Sequence, residues 1–219
     1  RGGRVKAIRS PENGRIAMRD GIQPAEKTRR KQAAKAISLF LQPMTAAAIL
    51  YAIVAWNVSG GWEAAGYFLI GVSFIAVGPA VLILLLKHAR MISDLDLSDR
   101  RERFKPYLMF VGLNTLSLVI YVLEGAPKPL LGVTASYVTV TLAGGIISNY
   151  WKISMHLAGI AGPVTALTMV VHPLLAVFYL LCVPVGWARL FLNKHTVPQV
   201  IWGSLFSAAL TMTVISLIL

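Results

Sequence analysis

The sequence predicts an all-α bundle of membrane-spanning helices, and three observations carry that prediction. Hydrophobic residues make up 56% of the 219-residue chain and the mean hydropathy is +0.67, above the range of ordinary soluble domains. Apolar runs close to the ~20 residues that cross a bilayer core of about 30 Å recur along the chain. The formal charge of +12 is lopsided, because eleven of the 21 lysines and arginines lie between Arg1 and Lys35, ahead of the first apolar run.

Residues 1–36 read as a basic, partly disordered tail punctuated by Gly2, Gly3, Pro11, Gly14, Gly21 and Pro24, with helical character expected only from 33 to 37. The chain opens on Arg1 rather than methionine, so this start is not expected to be the native one. A basic tail beside a membrane segment favours anionic headgroups, at about 1 kcal/mol per charge near the surface, over nucleic acid.

Residues 37–219 read as one transmembrane domain, about six to seven helices with a working count of seven: 38–58, 64–86, 107–124, 129–150, 155–171, 173–191 and 197–219. His172-Pro173 is read either as a tight hairpin or as one kinked segment. Glycine and alanine inside the runs, such as Gly71, Gly159 and Gly162, suit close helix packing. Trp56, Trp62, Trp151, Trp187 and Trp202 fall near segment ends, as interfacial anchors do. Cys182, the single cysteine, excludes an intrachain disulfide and a cysteine metal cluster.

Three polar, basic islands interrupt the apolar pattern, at 98–106, 151–156 and 188–199. Charges where a chain enters or leaves lipid are costly enough to read as a site. In the third island Arg189 is followed after five residues by His195 and after three more by Gln199; the second contains Ile153, Ser154, Met155 and His156; the first contains Ser98, Arg100, Arg101, Lys105 and Pro106. In this order the islands resemble the three signature motifs of the type 2 phosphatidic acid phosphatase family, lipid phosphatases related to vanadium haloperoxidases. The resemblance spans about residues 87–205. It departs from the family at Gln199 (aspartate there), Met155 (glycine), Ile153 (proline) and Ser98 (lysine).

The resemblance implies a site at the headgroup level that dephosphorylates a lipid or isoprenoid phosphate or diphosphate, with no metal and no cofactor. His195 would attack phosphorus to form a phosphohistidine, His156 would protonate the leaving oxygen, and Gln199 would orient His195 through its amide oxygen. Arg189, Lys105, Ser154 and either Arg100 or Arg101 would hold the phosphoryl oxygens, guanidinium being suited because it stays charged and binds two oxygens at once. Splitting one displacement into two through a covalent intermediate is the chemical advantage of a histidine nucleophile.

One phosphate site requires all three islands on one face, which the seven-segment hairpin arrangement satisfies. The excess of lysine and arginine on that face makes it cytoplasmic, in an integral protein of the plasma (inner) membrane. His88 and His172 match no motif position and read as interfacial or structural. The run containing Asp94, Asp96 and Asp99 is reminiscent of a magnesium-diphosphate cluster of intramembrane prenyltransferases, but no second aspartate cluster accompanies it; it reads instead as a solvated loop pairing with its neighbouring arginines. A reading of another class stays open: a non-catalytic subunit that keeps the fold inside a larger membrane complex, with protein partners and pigment or lipid between its helices.

Overall fold

The structure is a computed structural model that describes residues 24–97 and 99–219; the side chains of Pro24, Ala25 and Arg100 lie outside that description. Among the described residues it is all-α. In chain order the helices are α1 (Pro24–Phe40), α2 (Pro43–Val58), α3 (Gly61–Gly71), α4 (Gly78–His88), α5 (Phe104–Leu123), α6 (Lys128–Tyr150), α7 (Met155–Val170), α8 (Cys182–Phe191) and α9 (Val197–Ile218). A π-helical turn, Val72–Val77, joins α3 to α4, and a 3-10 helix, Pro173–Leu181, leads into α8.

Helix α1 starts well before residue 33. From Pro24 to Gln42 no further proline or glycine occurs, proline suits the first helical position, and the run of Glu, Lys, Arg, Gln and Ala is rich in helix formers. Glu26 and Arg30 pair at 2.7 Å one turn apart. Charge density masked a helix that propensity favours, whereas the rest of the expected tail, residues 1–23, lies outside the described residues.

Five helical segments are long and apolar enough to cross a membrane: Gly61–His88, Phe104–Leu123, Lys128–Tyr150, Pro173–Phe191 and Val197–Ile218. A sixth results if Glu26–Phe40 and Pro43–Val58, bent by 41°, form one span. Six meets the expected six to seven, and the remaining expected segment, 155–171, corresponds to α7. The difference lies in the short helices. Sixteen-residue α7 extends only about 24 Å at 1.5 Å per residue, and Leu157, Ala158 and every residue from Ile160 to Leu167 are buried by protein. Apolar sequence marks burial against helices as readily as burial against lipid.

Each break has a local cause. Pro79 lacks an amide hydrogen and its ring would crowd the carbonyl four residues back, and the chain answers with a π turn in which the Gly78 amide donates to the Ser73 carbonyl. His172-Pro173 is a hairpin: extended His172 caps the 3-10 helix by accepting a hydrogen bond from the Leu174 amide at its Nδ1. The return segment packs back on α7, with Tyr179 hydroxyl 2.5 Å from Thr165 Oγ1 and Val185 sharing a core cluster with Leu157, Ile160 and Val164. The chain thereby comes back along α7 to the level of Ser154.

Tyrosines tie the other half together. Tyr51 of α2 bonds Thr134 of α6 at 2.7 Å, and the Tyr121 hydroxyl of α5 donates to the Tyr67 carbonyl of α3 at 2.5 Å. The small residues keep helices close as expected. A Cβ added at Gly71 would come within 2.2 Å of the Tyr51 ring, and one at Gly159 within 2.6 Å of Pro43. All five tryptophans retain exposed surface, from Trp62 at the start of α3 to Trp202 in the second turn of α9.

Candidate functional site

The five residues between Arg189 and His195 are one helix ending and one helix beginning. Arg189 lies in the last turn of α8, which closes with the Asn193 amide donating to the Leu190 carbonyl (2.9 Å) and the Lys194 amide to the Arg189 carbonyl (3.0 Å). This Schellman closure requires a left-handed residue, and Asn193, at φ 53°, is one that tolerates it. Thr196 then caps α9 in a capping box with Gln199.

The box also fixes the histidine. The Thr196 amide can only donate, and it donates to Gln199 Oε1 at 3.1 Å; the same oxygen lies 3.3 Å from His195 Nδ1. An oxygen accepts, so Nδ1 carries the proton and the Nε2 lone pair is left free. Burial, then the charges of Arg189, Lys152 and Arg103, push the His195 pKa down to about 3 against the Gln199 hydrogen bond, which raises it. His195 is neutral at physiological pH.

The second island is clasped to the same corner. The Ser154 amide donates to the Gln199 carbonyl at 3.1 Å. Gly203, on the next turn of α9, faces Ser154 so closely that an added Cβ would lie 2.5 Å from the Ser154 carbonyl oxygen. Ser154 is fully buried, and its Oγ has no protein partner. His156 follows at the start of α7, with Arg189, Asp96 and Lys194 as its charged neighbours. Met155 lies with its thioether 3.1 Å from the Cβ position of Gly144 and borders an apolar cavity of about 160 Å³ that Tyr107, Phe110, Tyr137 and Gly162 also line.

The first island contributes a different cation from those expected. Arg103 is buried, donates from Nε to the Leu97 carbonyl at 2.7 Å, and leaves Nη1 buried without a partner. Arg101 is exposed and pairs with Asp99 at 3.6 Å; Lys105 is exposed on the first turn of α5. Arg101 and Lys105, expected to hold phosphoryl oxygens, both face outward: α5 begins at Phe104, and Arg103 immediately before it takes the inward place. Arg100 opens a 3-10 turn, and its side chain lies outside the described residues, as does Ser98.

Arg189, 3% exposed, meets Asp96 at 3.5 Å, and Lys194 meets the same carboxylate oxygen at 3.3 Å. Arg189 Nε is buried with no partner. Burial raises the Asp96 pKa, but Arg189, His156 and Lys194 outweigh it and hold the carboxyl below its usual range. Burial and the positive charges of Arg103, Lys194 and Arg189 lower that of Lys152. The aspartates thus pair partly within their loop, at Asp99, and partly across 93 residues, at Asp96.

The structure therefore brings Arg189, His195, Gln199, Ser154 and His156 together and adds Arg103, Lys152, Lys194 and Asp96, which motif spacing does not single out. Lys194 had a readable signal, since it lies between Arg189 and His195 in a turn that short-range rules define. Among the described residues no group of three or more His, Cys, Asp and Glu side chains is placed to hold a metal. Compared with family models, with curated proteins and with solved structures, the chain matches none.

Proposed function

We propose that this integral membrane protein hydrolyses a lipid or isoprenoid phosphate or diphosphate through a phosphohistidine on His195, as the resemblance to type 2 phosphatidic acid phosphatases implies. One observation supports this most: buried donors without protein partners, Arg189 Nε and Arg103 Nη1, belong to the charge cluster around a neutral histidine with a free Nε2. An unsatisfied buried donor costs about 1–3 kcal/mol or more when charged, so such donors suit a site built for an anion.

In this reading Arg189 and Arg103 hold phosphoryl oxygens, Ser154 donates a further hydrogen bond, and His195 Nε2 attacks in line. Burial, then the charges of Arg189 and Lys194, push the His156 pKa down to about 4 against Asp96, so the ring takes up its proton as the phosphate dianion enters. It gives that proton to the departing alkoxide, then takes one from the water that attacks the phosphohistidine, and inorganic phosphate leaves. Neutral His195 is a competent nucleophile without prior deprotonation, which reduces the need for the carboxylate that Gln199 replaces. The apolar cavity beside Met155 suits a hydrocarbon chain whose headgroup reaches the cluster. The basic tail and the cluster share the cytoplasmic face of the plasma (inner) membrane, following the lysine and arginine balance.

Gln199 and the carboxylate of Asp96 among the cations favour a second reading, a non-catalytic subunit of a membrane complex. Phosphate release from a panel of lipid and isoprenoid phosphates by the detergent-purified protein separates the two. Release that is lost in His195→Ala and increased in Gln199→Asp supports the enzyme; no release from the parent protein, with gain only in Gln199→Asp, supports the subunit.

A further inference from the structure

Asp96 pairs with Arg189, a cation that the proposed reaction assigns to the phosphoryl oxygens, and its loop is fastened on both sides of it. The loop between α4 and α5 is fastened at its base: the Ser93 amide and hydroxyl donate to Glu102 Oε2 at 2.6 and 2.9 Å, and Lys87 donates to the Ser93 carbonyl. It is fastened near its tip by Arg103 on the Leu97 carbonyl, and buried Ile92 and Leu97 anchor it against Ile83 and Leu86. Between these anchors Asp96 lies 3.5 Å from Arg189 and 3.3 Å from Lys194, while Asp94 of the same loop adds its charge to the field at Arg189 and Lys152.

We propose that Asp96 is a resident competitor for the phosphate position and thereby the residue that selects doubly charged phosphate groups; this rests on the phosphohydrolase reading of the site. A carboxylate brings one negative charge. A phosphodiester also brings one, so it must break the Asp96 pairs without adding charge. A terminal monoester or diphosphate brings a further charge and more oxygens, with Arg189 Nε and Arg103 Nη1 unfilled by protein to receive them. Dianions displace the carboxylate and monoanionic diesters do not. The abundant diester phospholipids of the surrounding membrane are thus refused without a steric gate.

The test uses non-hydrolysable probes on the detergent-solubilised full chain: dodecylphosphonate, titrated where it is a dianion, and its monoanionic methyl ester, with binding read by calorimetry. The parent protein is expected to prefer the dianion by about tenfold, the scale of one partly screened charge pair. Asp96→Asn tightens both probes and the ester more, so that the preference falls to about twofold. Asp96→Ser repeats the measurement should the amide disturb the loop. Asp99→Asn makes the same change in net charge on the exposed side of the loop and is expected to leave the preference intact.

Equal effects of Asp96→Asn and Asp99→Asn, or an unchanged preference in Asp96→Asn, would overturn the competitor while leaving the phosphate site standing if Arg189→Gln still loses binding. Dianion affinity untouched by Arg189→Gln, or no binding in any variant, would overturn both. Inorganic phosphate titrated alongside is expected to bind more weakly than dodecylphosphonate; equal affinity would assign the site to free phosphate, with the Asp96 test reading the same way.

Discussion

Two regions deliver charge to the same cluster by opposite means. The α8–α9 corner does so through adjacent backbone: a Schellman turn at Asn193, a capping box at Thr196, and every polar side chain within a few residues of the next. The loop between α4 and α5 does so through contacts it must find elsewhere, burying Leu97 against α4 and reaching 93 residues away to Arg189. A corner made of local rules keeps its chemistry in its spacing. A loop held by distant partners does not.

The largest expected effect tests whether the loop contributes as fully as the corner. On the proposed phosphohydrolase reading, Arg189→Gln and Arg103→Gln should each lower kcat/KM for lipid phosphate release by about 10²–10³, the usual loss for a preorganised donor. A loss confined to Arg189→Gln would reduce the loop to scaffolding. Next comes the corner's own weakness: Gln199→Asp should raise kcat by about tenfold or more, because a carboxylate keeps the His195 tautomer and adds charge to stabilise the imidazolium. A lower rate there would mean that the capping box depends on an amide.

That contrast explains what the sequence disclosed. The helical class follows from composition, and the pairing of His195 with Gln199 from a four-residue step in the first turn of a helix. Arg103 was hidden because three arginines lie within four residues and only the start of α5 decides which one faces inward. Asp96 was hidden because its partners, Arg189 and Lys194, lie at the distant α8–α9 corner. Whether α7 counts as a span was not legible, because it is as apolar as a lipid-facing helix while being covered by protein.

Where the corner meets α7, Gly203→Ala should destabilise the protein by about 1–3 kcal/mol through overpacking on the Ser154 carbonyl, read as a lower melting temperature in detergent. Activity at low temperature should fall with it, since Ser154 and Gln199 share that joint. An unchanged melting temperature would show that α9 can shift without cost.

A milder effect concerns pH. With a pKa held down to about 3, His195 takes up a proton only near that value and stays neutral as pH falls through the ordinary histidine range around 6.5. The ¹³Cε1 resonance of His195, assigned by its absence in His195→Gln, should therefore not move down to about pH 5. Titration near 6.5 would mean an open, hydrated ring and would weaken the contrast between a desolvated corner and a surface loop.

The smallest effects sharpen the comparison most, because they separate basic composition from buried charge. Arg101 and Lys105 lie two residues to either side of Arg103, carry the same charge and are exposed. Exposed pairs are worth about 0–1 kcal/mol and are screened by salt. Arg101→Ala and Lys105→Ala should therefore leave kcat/KM within about twofold at physiological ionic strength, beside the loss expected for Arg103→Gln. A loss in Lys105→Ala comparable to that in Arg103→Gln would mean that the loop recruits charge by proximity alone, so that its helix register and its buried Leu97 anchor set no selectivity among its cations.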